Sequence, residues 1–178
     1  MLLKNYIVEQ NLDSMDTYKF LLFFGENEGY KENIKKKLKN KYKNSEILNF
    51  FQEELLKNEN ILSEQINNSS LFSSHKLIFI HEASDKAFKQ IEDSIQCKNK
   101  EIKVIIFSNI LDKKSKLRNY FEREKKIAII PCYEDTDRTL INHINFELKG
   151  YQGLTPDVIN LIINNSNTNR KIINDELT

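Results

Sequence analysis

No stretch of this 178-residue sequence approaches the roughly 18–20 consecutive apolar residues of a membrane span. The amino terminus, Met1-Leu2-Leu3-Lys4-Asn5, lacks the long apolar segment of a secretory signal. Cysteine is scarce: Cys97 and Cys132 lie far apart and outside any CxxC spacing, which argues against a disulfide framework or a thiolate metal site and predicts buried free thiols in a reducing compartment. Net charge is nearly absent as well, with 27 Lys+Arg against 26 Asp+Glu. That balance argues against a generally basic nucleic-acid binder, although a local patch can hide inside a neutral total. Only four of the basic residues are arginine, and lysine, isoleucine and asparagine all have AT-rich codons, so much of the lysine content follows from genome composition. What is present is 39% hydrophobic and 10% aromatic residues, enough to fold. The expectation is a soluble, cytoplasmic globular protein holding one domain of ordinary size and a small second one.

Short continuous apolar runs punctuate the first three quarters of the chain. Phe20-Leu21-Leu22-Phe23-Phe24, Leu77-Ile78-Phe79-Ile80, Val104-Ile105-Ile106-Phe107 and Ile127-Ala128-Ile129-Ile130 have the length and composition of strands buried on both faces, as in a parallel sheet. Ile47-Leu48-Asn49-Phe50-Phe51 is a fifth candidate, and Tyr6-Ile7-Val8 a possible edge strand. Between them, Tyr30, Ile34, Leu38 and Tyr42 recur every four residues, which predicts a helix whose other face carries Lys31, Lys35, Lys36, Lys37, Lys39 and Lys41. Further helices are predicted over about 84–96 and 113–125. Alternation of strand and helix reads as an α/β layered domain with right-handed crossovers, over residues 1–134. From residue 135 the pattern is helical only. Leu140, Ile141, Ile144 and Leu148 mark one helix, Thr155-Pro156 opens a second, and Asn169 or a neighbour starts a third bearing Ile172, Ile173 and Leu177. This predicts a small three-helix domain over 135–178 that ends without a cap or breaker, as if truncated.

The turn Gly25-Glu26-Asn27-Glu28-Gly29 follows the first strand and opens a helix, the position of a phosphate-binding loop. It has no Gly-Lys-Ser/Thr, and Glu26 and Glu28 would repel phosphate, so no cofactor is assigned to it. His75, His81 and His143 do not form a ligand-spaced set, and no metal is expected. Asp135 and Asp137 precede a helix, where carboxylates serve as caps. The Lys31–Lys41 and Lys113–Arg118 faces are solvated faces or contacts for a nucleic-acid backbone. More informative is Asn67-Asn68-Ser69-Ser70-Leu71-Phe72-Ser73-Ser74, a Leu-Phe pair set among small polar residues just before a core strand. Two readings stand: a loop pinned to the core by both side chains, or a hydrophobic anchor for a partner's pocket.

Several segments, taken in order, carry a resemblance. They are Leu21-Leu22-Phe23-Phe24-Gly25-Glu26-Asn27-Glu28, then Ser70-Leu71-Phe72 ahead of Lys76-Leu77-Ile78-Phe79-Ile80, then Ser108-Asn109-Ile110-Leu111-Asp112-Lys113 through Glu122, Asp137-Arg138-Thr139-Leu140 and Asn174-Asp175-Glu176-Leu177. Together they resemble the delta subunit of the bacterial DNA polymerase III clamp loader. The resemblance implies a degenerate AAA+ (P-loop NTPase-like) α/β domain followed by a lid-like helical domain, with a C-terminal collar domain lacking here. It also implies that the chain does not hydrolyse ATP, although it belongs to a nucleotidyltransferase complex. Ser70, Leu71 and Phe72 would bind the sliding clamp (the beta subunit), and the helix over about 60–66 would lean on the ring and favour its opening. Other loader subunits would be met through the missing domain and primer–template DNA only indirectly; no membrane contact is implied. Asn109 would be the remnant of a polar sensor. Two rivals remain open: a nucleotide-binding enzyme with a divergent loop, and a Lys-rich nucleic-acid module.

Overall fold

The computed structural model describes residues 1–68, 75–96 and 101–177. The five apolar runs each become a strand: β1 Phe20–Phe24, β2 Glu46–Phe51, β3 Lys76–His81, β4 Ile102–Ser108 and β5 Ala128–Pro131. They pair in parallel in the order β2-β3-β4-β1-β5. β1, β3 and β4 are covered on both sides and accordingly carry no polar alternation. On the edge, β2 is mostly half-buried, and β5 is flanked by the chain start through a parallel bridge of Leu2 to Ile129.

Helices cover both faces. On one side lie α1 (Asn5–Gln10) and α2 (Glu28–Lys41), whose Val8, Tyr30, Ile34 and Leu38 meet Leu21, Phe23, Phe79 and Ile105 of the sheet. On the other lie α3 (Gln52–Lys57), α4 (Ile61–Asn67), α5 (Phe88–Ile95) and α6 (Lys116–Arg123), which bury Leu55, Leu62, Ile66, Ile91, Leu117 and Phe121 against Leu22, Ile78, Ile80 and Val104. The result is a three-layer α/β fold. Tyr6-Ile7-Val8 is not an edge strand. It lies in α1, where Val8 is buried while Tyr6 and Ile7 are half exposed.

Three helices follow β5: α7 (Asp137–Glu147), α8 (Pro156–Asn165) and α9 (Arg170–Glu176). Thr136, Thr155 and Asn169 cap them through side-chain oxygens, and Pro156 stands at the first position of α8. Their apolar stripes, Leu140, Ile144, Ile159, Ile163 and Ile173, form a separate core cluster. Among the described residues no helix is long and apolar enough to cross a membrane.

Candidate functional site

At the carboxyl end of β1 the backbone turns through Gly25, whose φ of +132° is open to glycine alone. A Cβ there would stand 2.2 Å from the carbonyl oxygen of Cys132, because the ends of β1 and β5 approach this closely. The backbone N–H groups that would cradle a phosphate already donate elsewhere: Gly25 to the Asn109 carbonyl (3.2 Å), Asn27 to that of Cys132 (3.1 Å) and Glu28 to that of Glu26 (2.9 Å). Asn27 accepts from the Tyr30 amide to cap α2, and its amide nitrogen donates to Asp135 Oδ2 at 2.7 Å.

Lys31 does not lie on the solvated face of α2. It is three and seven residues before Ile34 and Leu38, so the helical period turns it inward, and it is only 4% exposed. Its ammonium donates to the carbonyls of Gly25 (2.9 Å) and Ser108 (3.1 Å) and pairs with Glu28 at 2.5 Å. Six residues after Gly25 is also where a phosphate-binding loop keeps its lysine, with Tyr30 in place of the second glycine. That spacing was the available sequence signal. Here the lysine closes the turn instead of leaving it open, and the adjoining cleft of about 410 Å³ is lined by the carboxylates of Glu26, Glu28, Glu134 and Asp135 against the cations of Arg170 and Lys171.

Asp135 is not a helix cap. It lies under Arg170, which holds it with two hydrogen bonds of 2.7 and 2.8 Å and also reaches Glu9. All three side chains are at least 89% buried, so this is an internal ion-pair network joining α1, the approach to α7, and α9. Burial opposes the Asp135 charge, yet the Arg170 hydrogen bonds and charge hold its carboxyl below the usual range. Glu9 is likewise depressed against its burial, by His143 and Arg170. His143 Nδ1 lies 2.8 Å from Glu9 Oε1, close in distance rather than aligned as a hydrogen bond. Its Nε2 faces Asn174 Oδ1 at 2.6 Å, and Asn174 donates to the Gly29 carbonyl. A Cβ on Gly29 would stand 2.7 Å from the Lys171 nitrogen, which shows how tightly α9 sits on the first turn of α2.

The other singled-out residues scatter. His75 is exposed. His81 lies in an aromatic group with Phe51, Phe79 and Phe107, and burial followed by the charges of Lys35 and Lys39 lowers its pKa to about 4. Cys132 is buried and free, its thiol pushed far up by burial; Cys97 lies outside the described residues. Asn109 is exposed, and its carbonyl serves Gly25.

Ser70, Leu71 and Phe72 also lie outside the described residues, but both ends between which they run are fixed. The chain reaches Asn68 from α4, whose Leu62 and Ile66 are fully buried. It resumes at His75, whose carbonyl accepts from Glu46, ahead of β3. Lys76, 5% exposed, joins the two: its ammonium donates to the carbonyls of Gln65 (3.0 Å) and Asn68 (2.8 Å), groups that the last turn of a helix leaves unpaired. Lys76→Met keeps the stem and removes both bonds. The expected loss is about 1–3 kcal/mol, seen as a fall in thermal midpoint of roughly 2–4 °C per kcal/mol.

No family model matches the chain, and no curated protein matches it in sequence. Among solved structures, the fold is similar to that of the Bacillus subtilis DNA clamp loader delta protein (YqeN), with a TM-score of 0.72 over 97% of this chain at 12% identity. The chain spans 56% of the length of that protein. Rif2, in its complex with the C-terminal domain of Rap1, is matched over 92% of this chain and 66% of its own at a TM-score of 0.49 and 13% identity. The likeness is one of fold, carried by the five-stranded parallel sheet and the helices packed on it.

Proposed function

We propose that the chain is a clamp-loader subunit that binds a ring-shaped sliding clamp through Leu71 and Phe72, flanked by Ser70, and favours the open ring while it is loaded onto primed DNA. The observation that carries this is the likeness of fold to a clamp loader delta protein over nearly the whole chain, joined to the Leu-Phe pair at the matching place in the order of motifs. Two adjacent apolar side chains entering a pocket concentrate binding energy in a short segment. The rigid ends at α4 and Lys76 would limit the ordering that binding requires.

In this proposal the subunit hydrolyses no ATP. The amides of Gly25, Asn27 and Glu28 and the ammonium of Lys31 are engaged within the protein, and a phosphate entering the adjoining cleft meets four carboxylates against two cations, of which Arg170 is already held by Glu9 and Asp135. Residues 1–134 form the module that carries the clamp element and 135–178 the lid-like unit. Other loader subunits and, through them, primer–template DNA are the further partners, in the cytoplasm. A calorimetric titration of the chain with the cognate sliding clamp tests the proposal, and absence of a complex overturns it. Magnesium ATP in the same instrument distinguishes the nucleotide-binding alternative, which requires heat of binding that this proposal does not expect.

A further inference from the structure

All five strands are parallel, so their amino-terminal ends share one edge of the sheet. The segment holding Leu71 and Phe72 returns to the sheet at this edge, through His75 into β3. The order β3-β4-β1-β5 puts the start of β1 two strands away, about 10 Å at the usual strand spacing. A cleft of about 640 Å³ opens there, between the chain entering β1, the ends of α5 and α6, and the chain entering β5. Its walls include the half-buried rings of Tyr18 and Tyr120, and among the described residues its charged lining is Lys19, Lys125, Lys126 and Glu124. Lys125 and Lys126 are exposed, held in place by a two-residue turn in which the Lys126 amide donates to Glu124 Oε1. A surplus of positive charge in one concave place is notable in a chain whose net charge is only +1.

Resting on the function proposed above, we infer that this cleft is a second contact for the same partner and takes an acidic loop of the clamp. An interface of ordinary size covers about 800 Å² on each side, which reaches from the start of β3 across the roughly 10 Å to the start of β1 and the cleft beside it. The two contacts divide the work physically. The apolar pair supplies short-range burial and governs dissociation, while the lysines act over roughly 8–10 Å in ordinary salt and govern encounter and orientation. The tyrosine rings offer apolar wall with hydroxyls at the rim, suited to an acidic segment that also carries an apolar side chain.

The test compares three forms of the chain against the cognate sliding clamp by surface plasmon resonance at low and high salt: wild type, Lys125→Glu with Lys126→Glu, and Leu71→Ala with Phe72→Ala. Charge reversal is expected to lower affinity about tenfold or more at low salt, chiefly through slower association, with the difference closing as salt rises. Lys125→Gln with Lys126→Gln should fall between, and thermal midpoints should match the wild type because both side chains are exposed. Unchanged clamp binding in the charge-reversed form, with binding lost in the Leu71/Phe72 form, overturns the cleft and leaves the proposed function standing. Normal binding in the Leu71/Phe72 form overturns the proposed function itself. A charge reversal that weakens binding to a DNA duplex while sparing the clamp assigns the cleft to a different occupant and refutes the inference.

Discussion

Replacing Leu71 and Phe72 together by alanine is expected to abolish clamp binding while leaving the fold intact. Burying a leucine or phenylalanine side chain is worth about 1.5–3 kcal/mol, so losing both removes roughly 3–6 kcal/mol. At about 1.4 kcal/mol per decade, that weakens the complex by roughly 10²–10⁴. The same variant separates the two readings that the Leu-Phe pair allowed. Side chains pinning a loop to the core would cost about 2–5 kcal/mol each on truncation, because cavities form where they packed. The protein would then unfold at distinctly lower urea, and weakened binding would merely follow. Partner anchors instead leave the urea midpoint unchanged and alter only the titration. Unfolding and titration measured on one preparation thus decide between a structural and a binding role, and a normal titration rejects the anchor.

The strands were legible because burial on both faces leaves a local mark: four or five apolar residues in succession, as in Phe20–Phe24 and in Val104-Ile105-Ile106-Phe107. Helix starts were legible for a similar reason, since Thr155 and Asn169 each satisfy amide groups only two or three residues away. Tyr6-Ile7-Val8 misled because three apolar residues suit a strand or one turn of helix equally well, and only the burial of Val8 on the sheet's flank settles it. Lys31 has the helical period of a core residue but the chemistry of a surface one. Its long stem can be buried only because two strand-end carbonyls, one of them 77 residues away, receive the ammonium. Asp135 looked like a cap for α7 because its true partners, Arg170 and Asn27, come from 35 and 108 residues away. The closing of the nucleotide-loop position is therefore only half written in the local sequence. The acidic turn is visible there, whereas the carbonyls of Cys132, Asn109 and Ser108 that occupy its donors depend on strand order.

Arg170→Ala is expected to destabilise the protein by about 3–5 kcal/mol, the range for breaking a buried ion pair by removing one partner. The cost arises less from the lost attraction than from what stays behind: Glu9 and Asp135, with side chains 11% and 8% exposed, keep their burial and lose their cation. Against a typical stability of roughly 5–15 kcal/mol this is a large fraction, and chemical denaturation measures it directly. Arg170→Lys should recover only part, because a single ammonium cannot reproduce the two-pronged contact with Asp135. The pH dependence carries its own signature. Both carboxyls titrate below their ordinary values in the folded protein. Their contribution is therefore complete above the unfolded-state values of about 4 and is lost as pH falls through the lower folded ones. In Arg170→Ala the burial that opposes their charge is answered only by His143 at Glu9 and by Thr139 and Asn27 at Asp135, so their folded pKa values rise. The variant should then gain relative to wild type on acidification, with the stability gap narrowing toward pH 4. A gap under about 1 kcal/mol that does not change with pH would mean that water screens the network as it does a surface pair. α9 would then be held on α2 by the Asn174 bond to the Gly29 carbonyl, the Lys171–Glu32 pair and the close packing at Gly29.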